Sequence, residues 1–371
     1  MTIRLCHIAE ATGGGVGRHL LDLAKNLTEK GYNQTFLVSP TRNPKIVDEL
    51  RLIGVEVIAV NMEHDLSPAK DFLTCLRLSN LIRTGRFDIV HCHSTKAGLL
   101  GRIACKLVRQ NNVVYTPHSF SFQMRSIRLK IWLYKLMERA LSSVTKRIIC
   151  VSTGEIAAAM GAGLPGDKIA LIHNGIPVEV QANHPHSAED RRIIRPFVFG
   201  FLGRLTVQKD PLTLIRAFSL ARIRDCRLLI MGDGELREEC EGLVRALGMS
   251  DCIEFTGEIS NPGERLLEVN ALVLPSLWEG FPYALLESMS LGIPAIVTNV
   301  AGNNELIIDG FTGYKFPVGD AKQLSTLMVQ LTRGPGLVRQ LGKNAQSLVL
   351  HKFNIQKMID DMDNLYRRMI G

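Results

Sequence analysis

ALVLPSLWEGFPYALLESMSLGIPAIVTNVAGNN, residues 271–304, passes from a short apolar run through a Gly/Pro loop and a helical period to a second apolar run. Runs of about five apolar residues bounded by turn formers suit strands, and spacing by threes and fours suits a helix. The stretch therefore predicts strand Ala271–Leu274, loop Pro275–Pro282, helix Tyr283–Leu291 and strand Pro294–Thr298. Two carboxylates stand eight residues apart across the loop-to-helix junction, Glu279 in the loop and Glu287 on the helix. Between them, Gly280 lets a ligand approach the backbone and Pro282 is acceptable at a helix start. The amide hydrogens of that first turn suit a phosphate or a sugar oxygen.

The same alternation extends in both directions. Downstream of Phe197 the predicted strands are Phe197–Leu202, Arg227–Met231, Ile253–Thr256, Ala271–Leu274, Ala295–Val297 and Gly313–Phe316, with helices at Pro211–Ile223, Glu235–Leu247, Pro262–Glu268 and Ala321–Arg333. Upstream, strands near Ile3–Ala9, Gln34–Val38, Val55–Val60, Ile89–His93, Val113–Thr116, Arg147–Val151 and Ile169–Ile172 enclose helices such as Gly17–Lys30, Lys70–Thr84 and Lys96–Arg109. Strands alternating with helices specify an α/β fold, and 371 residues exceed one ordinary core. The expected architecture is two Rossmann-like, doubly wound parallel-sheet domains facing a cleft, residues 1–177 and 195–350. The polar stretch 178–194 reads as their linker, and the tail Gln340–Gly371 reads as helical.

An apolar content of 46% and a charged content of 22% are those of an ordinary globular protein. No apolar run is long enough to span a bilayer, and IRLCHIAE at residues 3–10 does not read as a signal peptide. Eight scattered cysteines without a C-x-x-C pattern point to buried thiols in a reducing cytoplasm. A net charge of +8 favours anionic partners: nucleotides, nucleic acid or an acidic membrane surface.

Several motifs stand at strand ends. Thr12-Gly13-Gly14-Gly15-Val16-Gly17-Arg18 follows the first strand and either cradles an anion or makes a tight packing turn. It breaks the dinucleotide fingerprint, and no acidic residue closes the second strand, which argues against a nicotinamide-dependent oxidoreductase. Arg204 and Lys209 lie five apart in one strand-to-helix loop, where a planar fork and a point charge converge on a diphosphate. Glu279 and Glu287 are either a general-acid and nucleophile pair or two acceptors for hydroxyl groups. His91 and His93 share a strand face with Cys92 turned away, and His118 follows a strand that Pro117 stops. His91 reads as a core histidine and His118 as functional; the three lack a zinc spacing, so no metal is expected there. Residues 125–139 mix Arg125, Arg128, Lys130 and Lys135 with Ile127, Ile131, Trp132, Tyr134 and Leu136. That helix either sits on an anionic bilayer or packs by its apolar face.

Gly203-Arg204 with Lys209, Glu279-Gly-Phe-Pro-Tyr-Ala-Leu-Leu-Glu287, the glycine loop and Thr116-Pro-His118 together resemble the retaining glycosyltransferases of family 4, which have the GT-B fold. The resemblance covers essentially the whole chain. It implies that Arg204 and Lys209 bind the donor diphosphate, that Glu287 bonds the ribose, and that Glu279 contacts the donor sugar, helped by the backbone amides along Gly280–Tyr283, a segment that includes Phe281 and Pro282. By the same resemblance Gly13, Gly14 and Gly15 approach the diphosphate, His118 lies near the reacting centre, Asn174-Gly175 forms the hinge, and a C-terminal helix at about 351–371 completes the first domain. No cofactor or catalytic metal is implied; the sequence has no D-x-D after a strand, since Asp361 and Asp363 fall in the tail. The activity implied is retaining transfer of a hexose from a UDP- or GDP-sugar to a lipid-linked or polysaccharide acceptor in cell-surface glycan synthesis. The expected location is cytoplasmic, peripheral on the inner membrane face. A nucleotide-sugar epimerase of the same fold and a basic nucleic-acid-binding protein are the alternatives, although no nucleic-acid module is recognisable and no such partner is expected.

Overall fold

A computed structural model describes residues 2–65, 67–124, 127–177, 196–259 and 262–371. The expected linker 178–194 and Arg125 lie outside the described residues. The chain divides into two compact units, Met1–Asn174 with Gln356–Gly371, and Gly175–Ile355.

In the first unit the order is β1 (Arg4–Ala9), α1 (Gly14–Glu29), β2 (Asn33–Val38), α2 (Ile46–Ile53), β3 (Glu56–Ala59), α3 (Pro68–Gly85), β4 (Ile89–His93), α4 (Thr95–Leu107), β5 (Val113–Thr116), α5 (Arg128–Ser142), β6 (Arg147–Cys150), α6 (Thr153–Gly161) and β7 (Ile169–Leu171). Its seven strands run in the order β3-β2-β1-β4-β5-β6-β7 and every pairing is parallel. Burial on both faces explains why the strands read as near-continuous apolar runs.

The second unit follows with β8 (Phe197–Leu202), α7 (Pro211–Ala221), β9 (Cys226–Met231), α8 (Arg237–Ala246), β10 (Ile253–Gly257), α9 (Pro262–Leu266), β11 (Ala271–Leu274), α10 (Tyr283–Ser290), β12 (Ala295–Thr298), α11 (Ala301–Asn304), β13 (Gly313–Phe316), α12 (Ala321–Arg333) and α13 (Pro335–Lys352). Six parallel strands lie in the order β10-β9-β8-β11-β12-β13 around a core that includes Phe197, Phe199 and Phe201. The last helix, α14 (Ile355–Ile370), returns to the first unit. There Tyr366 donates to or accepts from His91 Nδ1 at 2.6 Å, Tyr32 donates to Asp363 at 2.6 Å, and Lys30 pairs with Asp360 at 2.8 Å.

Several helix boundaries differ from the sequence reading by two residues or more, and three features have a visible cause or consequence. The tail is two helices, not one, because Phe353 packs on Phe281 and the backbone of Ile355 donates to Ile176. Helix α1 starts at Gly14 instead of Gly17, so Gly14 and Gly15 sit in its first turn. Helix α8 starts two residues late because the amide of Leu236 is drawn to the carbonyl of Leu205.

Helix α5 has apolar residues on two sides: Ile131 and Tyr134 pack inwards against the core, and a second stripe faces outwards. Leu129, Trp132, Leu133 and Leu136 are exposed, Trp132 by 57%, and the side turned inwards bears Glu138. Glu138 grips the guanidinium of Arg102 in α4 at 2.9 and 3.1 Å, and Arg102 also lies 3.8 Å above the Tyr115 ring, whose hydroxyl reaches Glu138 at 3.2 Å. An ordinary amphipathic helix would keep its outer face polar. Removing one partner of a fully buried pair strands the other charge at a cost of about 3–5 kcal/mol, whereas replacing both by apolar groups is close to neutral. Glu138→Ala should therefore lower stability in urea by about 3–5 kcal/mol, with Arg102→Met/Glu138→Leu recovering most of the loss.

Candidate functional site

In an open parallel sheet the strand order reverses at one point, and ligands gather beyond the carboxyl ends of the two strands there. The reversals are β8/β11 in the second unit and β1/β4 in the first. Each carries a cluster of the residues expected from sequence.

At β8/β11 the loop 203–210 is zipped to the loop 275–282. Leu277 donates its amide to Gln208 O at 2.7 Å, Gln208 Nε2 donates to Trp278 O at 3.0 Å, and Lys209 Nζ donates to Glu279 Oε1 at 2.5 Å. Asp210 caps α7 through Thr213, which fixes the next residue after Lys209. Arg204 is exposed on the same loop and Glu287 is half-buried on α10. Gly280, Phe281, Pro282 and Tyr283 are buried between them. A Cβ on Gly302 would fall 2.2 Å from Gly280 O, so α11 braces this loop only because residue 302 has no side chain. The structure thus unites Lys209 and Glu279 directly, with Arg204 and Glu287 on the adjoining loop and helix.

Two contributors escaped the sequence reading. Gln208 ties the loops together, and Met231-Gly-Asp-Gly234 beyond β9 carries the carbonyl that receives Leu205 N at 2.9 Å. At Gly232, with φ +141°, a Cβ would sit 2.0 Å from Gly203 O. The signal was available: Gly-Asp-Gly directly after a strand is a loop built for close backbone approach.

At β1/β4 the parallel register sets His7 opposite His91 and Ala9 opposite His93. Five imidazoles collect here. His7, His91 and His93 are buried on the sheet, His19 is buried on α1, and His118 is half-buried beyond β5. His91 bonds Tyr366 through Nδ1 and Thr116 through Nε2 at 2.7 Å, which makes it the satisfied core histidine that its strand position suggested. His93 bonds His7 at 3.1 Å and His118 at 3.3 Å. The backbone at His118 and Ser119 is left-handed, with φ +53° and +95°, a conformation that costs a non-glycine residue of the order of 1 kcal/mol or more. The buried Glu155 holds that turn, accepting from the amide of Ser119 with one oxygen and from Val151 N at 2.9 Å with the other. Neither His7, His19 nor Glu155 was singled out from sequence. Gly13, the N-cap of α1, precedes the helix that carries His19.

Burial pushes the imidazoles towards neutrality: His7 falls to about 3 and His19 to about 4, and His91, His93 and His118 lie well below the ordinary value of 6.5. Among the described residues, His7, His91 and His93 form one group with ring nitrogens near enough to share a metal ion, and His19, His93 and His118 form another. In the first group both nitrogens of His91 are already bonded to Thr116 and Tyr366.

Residues 13–180 match the family profile "Glycosyltransferase Family 4" and residues 187–348 match "Glycosyl transferases group 1". Over 334 residues the chain is 30% identical to the UDP-Gal:alpha-D-GlcNAc-diphosphoundecaprenol alpha-1,3-galactosyltransferase of Escherichia coli, covering 87% of this chain and 85% of that one. The chain belongs to glycosyltransferase family 4. The putative glycosyltransferase EpsD of Bacillus subtilis is also 30% identical, over 78% of this chain and 79% of its own. Among solved structures, the Anabaena protein HepE, crystallised with UDP and glucose, superposes with a TM-score of 0.83 at 17% identity over 99% of this chain and 100% of its own. The lipopolysaccharide-biosynthesis glycosyltransferase WaaG gives 0.76 at 17% identity over the full length of both chains. The fold is GT-B, and the protein is a glycosyltransferase.

Neutral buried histidines make this glycosyltransferase acid-sensitive. An unfolded chain takes up protons near pH 6.5, which the folded His7 and His19 refuse until about pH 3 and 4. From this effect stability should thus decline as the pH falls from about 6.5 towards 4. Asp22, raised by burial to about 6, acts in the opposite direction between about 3.8 and 6, one group against five. Urea midpoints measured across this range should fall with acid, and His7→Phe should flatten the decline.

Proposed function

We propose that this glycosyltransferase is a retaining hexosyltransferase that takes its sugar from a nucleoside-diphosphate donor, UDP- or GDP-linked, and delivers it to a lipid-linked or polysaccharide acceptor in bacterial cell-surface glycan synthesis. The observation that carries the proposal is the zipped pair of loops at β8/β11, which sets Lys209 against Glu279 with Arg204 exposed beside them. A departing diphosphate develops negative charge as the anomeric bond breaks, and two preorganised cations stabilise it where water would have to reorganise. In this reading Lys209 and Arg204 take the place that a metal ion has in other transferases. Glu279, held by Lys209, accepts from hydroxyls of the sugar, and Glu287 accepts from those of the ribose. Gly280, Phe281, Pro282 and Tyr283 line the donor; in the first unit Gly13, Gly14 and Gly15 offer a turn for an anion such as a diphosphate, and His118 contacts a substrate hydroxyl. The galactosyltransferase relative is named for a UDP-sugar donor and a diphosphoundecaprenol acceptor, which supports the lipid-linked form of the proposal.

The outward face of α5 supports a membrane surface as the place of work. Leu129, Trp132, Leu133 and Leu136 are exposed in a stripe at helical spacing, flanked by Arg128, Lys130 and Lys135. Apolar residues enter the acyl boundary and each flanking cation adds about 1 kcal/mol on an anionic leaflet. No described helix is long and apolar enough to cross a membrane. The location proposed is peripheral, on the cytoplasmic face.

Transfer kinetics, nucleotide-induced stabilisation, product analysis and vesicle binding test these readings. Arg204→Ala and Glu287→Ala should each lower kcat/KM for transfer by about 10²-fold. Lys209→Ala should do so more than Lys209→Met/Glu279→Gln, which leaves no stranded carboxylate. UDP or GDP at a hundred times its Kd should raise stability by about 2.7 kcal/mol in the parent only. Wild-type rates in all three single variants sink the site, and sugar products formed from donor alone would indicate epimerisation. On vesicles containing anionic lipid, Trp132 fluorescence should shift to the blue, and Leu129→Ser/Leu136→Ser should abolish co-sedimentation. Unchanged sedimentation would remove α5 from the membrane.

A further inference from the structure

The histidines at β1/β4 make a directed chain of hydrogen bonds whose direction is set at its buried end. Gln34 on β2 is buried, and its Nε2 lies 2.9 Å from both Ala24 O and Thr28 Oγ1. A carbonyl can only accept, and the Thr28 hydroxyl spends its proton on Ala24 O at 2.7 Å. Both neighbours therefore require the amide nitrogen of Gln34 as donor, which turns Oε1 the other way. Among the described residues, Gln34 Oε1 and His7 Nε2 are buried and neither has another hydrogen-bond partner. They are complementary to each other, and the Gln34 side chain is the influence that favours a proton on His7.

With its proton on Nε2, a neutral His7 offers Nδ1 as an acceptor. That atom faces His93 Nε2 at 3.1 Å, so His93 carries its proton there and presents a bare Nδ1. His93 Nδ1 in turn faces His118 Nε2 at 3.3 Å. We infer that Gln34, His7 and His93 are positioning residues that fix His118 in the tautomer with its proton on Nε2 and a bare, hydrogen-bond-accepting Nδ1. His118 then accepts a proton or a hydrogen bond from a substrate hydroxyl and does not donate one. The chain uses both nitrogens of His93, which leaves none for a metal ion.

The role of His118 towards substrate rests on the function proposed above; the relay does not. The experiment is long-range proton–nitrogen NMR on the full chain with 15N-labelled histidine, the His118 signals being assigned by their loss in His118→Gln. His118 should show a protonated Nε2 and a bare Nδ1. Gln34→Leu, or His7→Phe should the first fold poorly, removes the terminal acceptor or the link, and the proton of His118 should move to Nδ1 in a large fraction of molecules. Tyr366→Phe disturbs His91 in the same cluster but touches no member of the chain, and it should leave the tautomer unchanged. A proton on Nδ1 in the parent, no response to either variant, or a pattern that changes on adding EDTA would overturn the relay. If the tautomer reverses, kcat should fall on the order of 10²-fold while KM for the donor holds. A reversed tautomer with unchanged kcat would keep the relay and refute the substrate role of His118.

Discussion

Parallel strands cannot be joined by tight turns, and this is the constraint on which the rest of the structure depends. Every strand must be followed by a crossover that begins at the same edge of the sheet, so all strand-to-helix loops of a unit emerge together. Where the order reverses, two neighbouring loops leave on helices of opposite faces and a gap opens between them. In the second unit the loops after β8 and β11 flank that gap, and they carry Lys209 and Glu279. In the first unit the gap follows β1 and β4, and it is lined by His7, His93 and the N-terminal turn of α1. Residues that are 70 and 86 apart in sequence thus bond to one another as a consequence of winding, before any side chain has been chosen.

The two gaps are furnished by different physics. Charge in the second is kept near solvent: Arg204 is exposed, and the buried Glu279 has Lys209 beside it. The first holds polar groups too deep for charge. An unpaired buried donor or acceptor costs about 1–3 kcal/mol, so imidazole in such a place is tolerable only in a network where each proton has a destination. His91 achieves this with Thr116 and Tyr366, and His93 with His7 and His118. The same arithmetic gives α14 a reason to return: without the Tyr366 hydroxyl, His91 Nδ1 would lose its partner inside the unit.

The sheets were legible in the sequence because burial on both faces writes itself as uninterrupted apolar runs. Strands 89–93, 113–116, 197–202, 271–274 and 313–316 fall where periodicity set them. Loop chemistry was legible where it was local, as in the Arg204–Lys209 segment and the Glu279–Glu287 segment. What stayed hidden was set by distant partners. His7 and Gln34 are single polar residues inside ordinary strands, and only the register of β1 with β2 and β4 reveals what they face. The break at Phe353 is likewise written by its edge-to-face packing on Phe281, not by a helix-breaking residue.

Helix α5 shows why periodicity alone misleads. Its apolar residues recur at helical spacing, which ordinarily identifies the side that meets the core. Here the side that meets the core carries Glu138 beside Ile131 and Tyr134, because part of the space beneath it is occupied by Arg102, stacked on Tyr115 and fully buried. Removing the carboxylate would strand that guanidinium at a cost of about 3–5 kcal/mol, and Ile131 and Tyr134 pack on the core from the same side. The ion pair and these two apolar residues together hold the rotation of the helix, which leaves Leu129, Trp132, Leu133 and Leu136 on the outer side. Exposed apolar stripes rimmed by charge mark interaction surfaces. In the peripheral location proposed above, an anionic lipid surface meets both the apolar centre and the flanking Arg128 and Lys130.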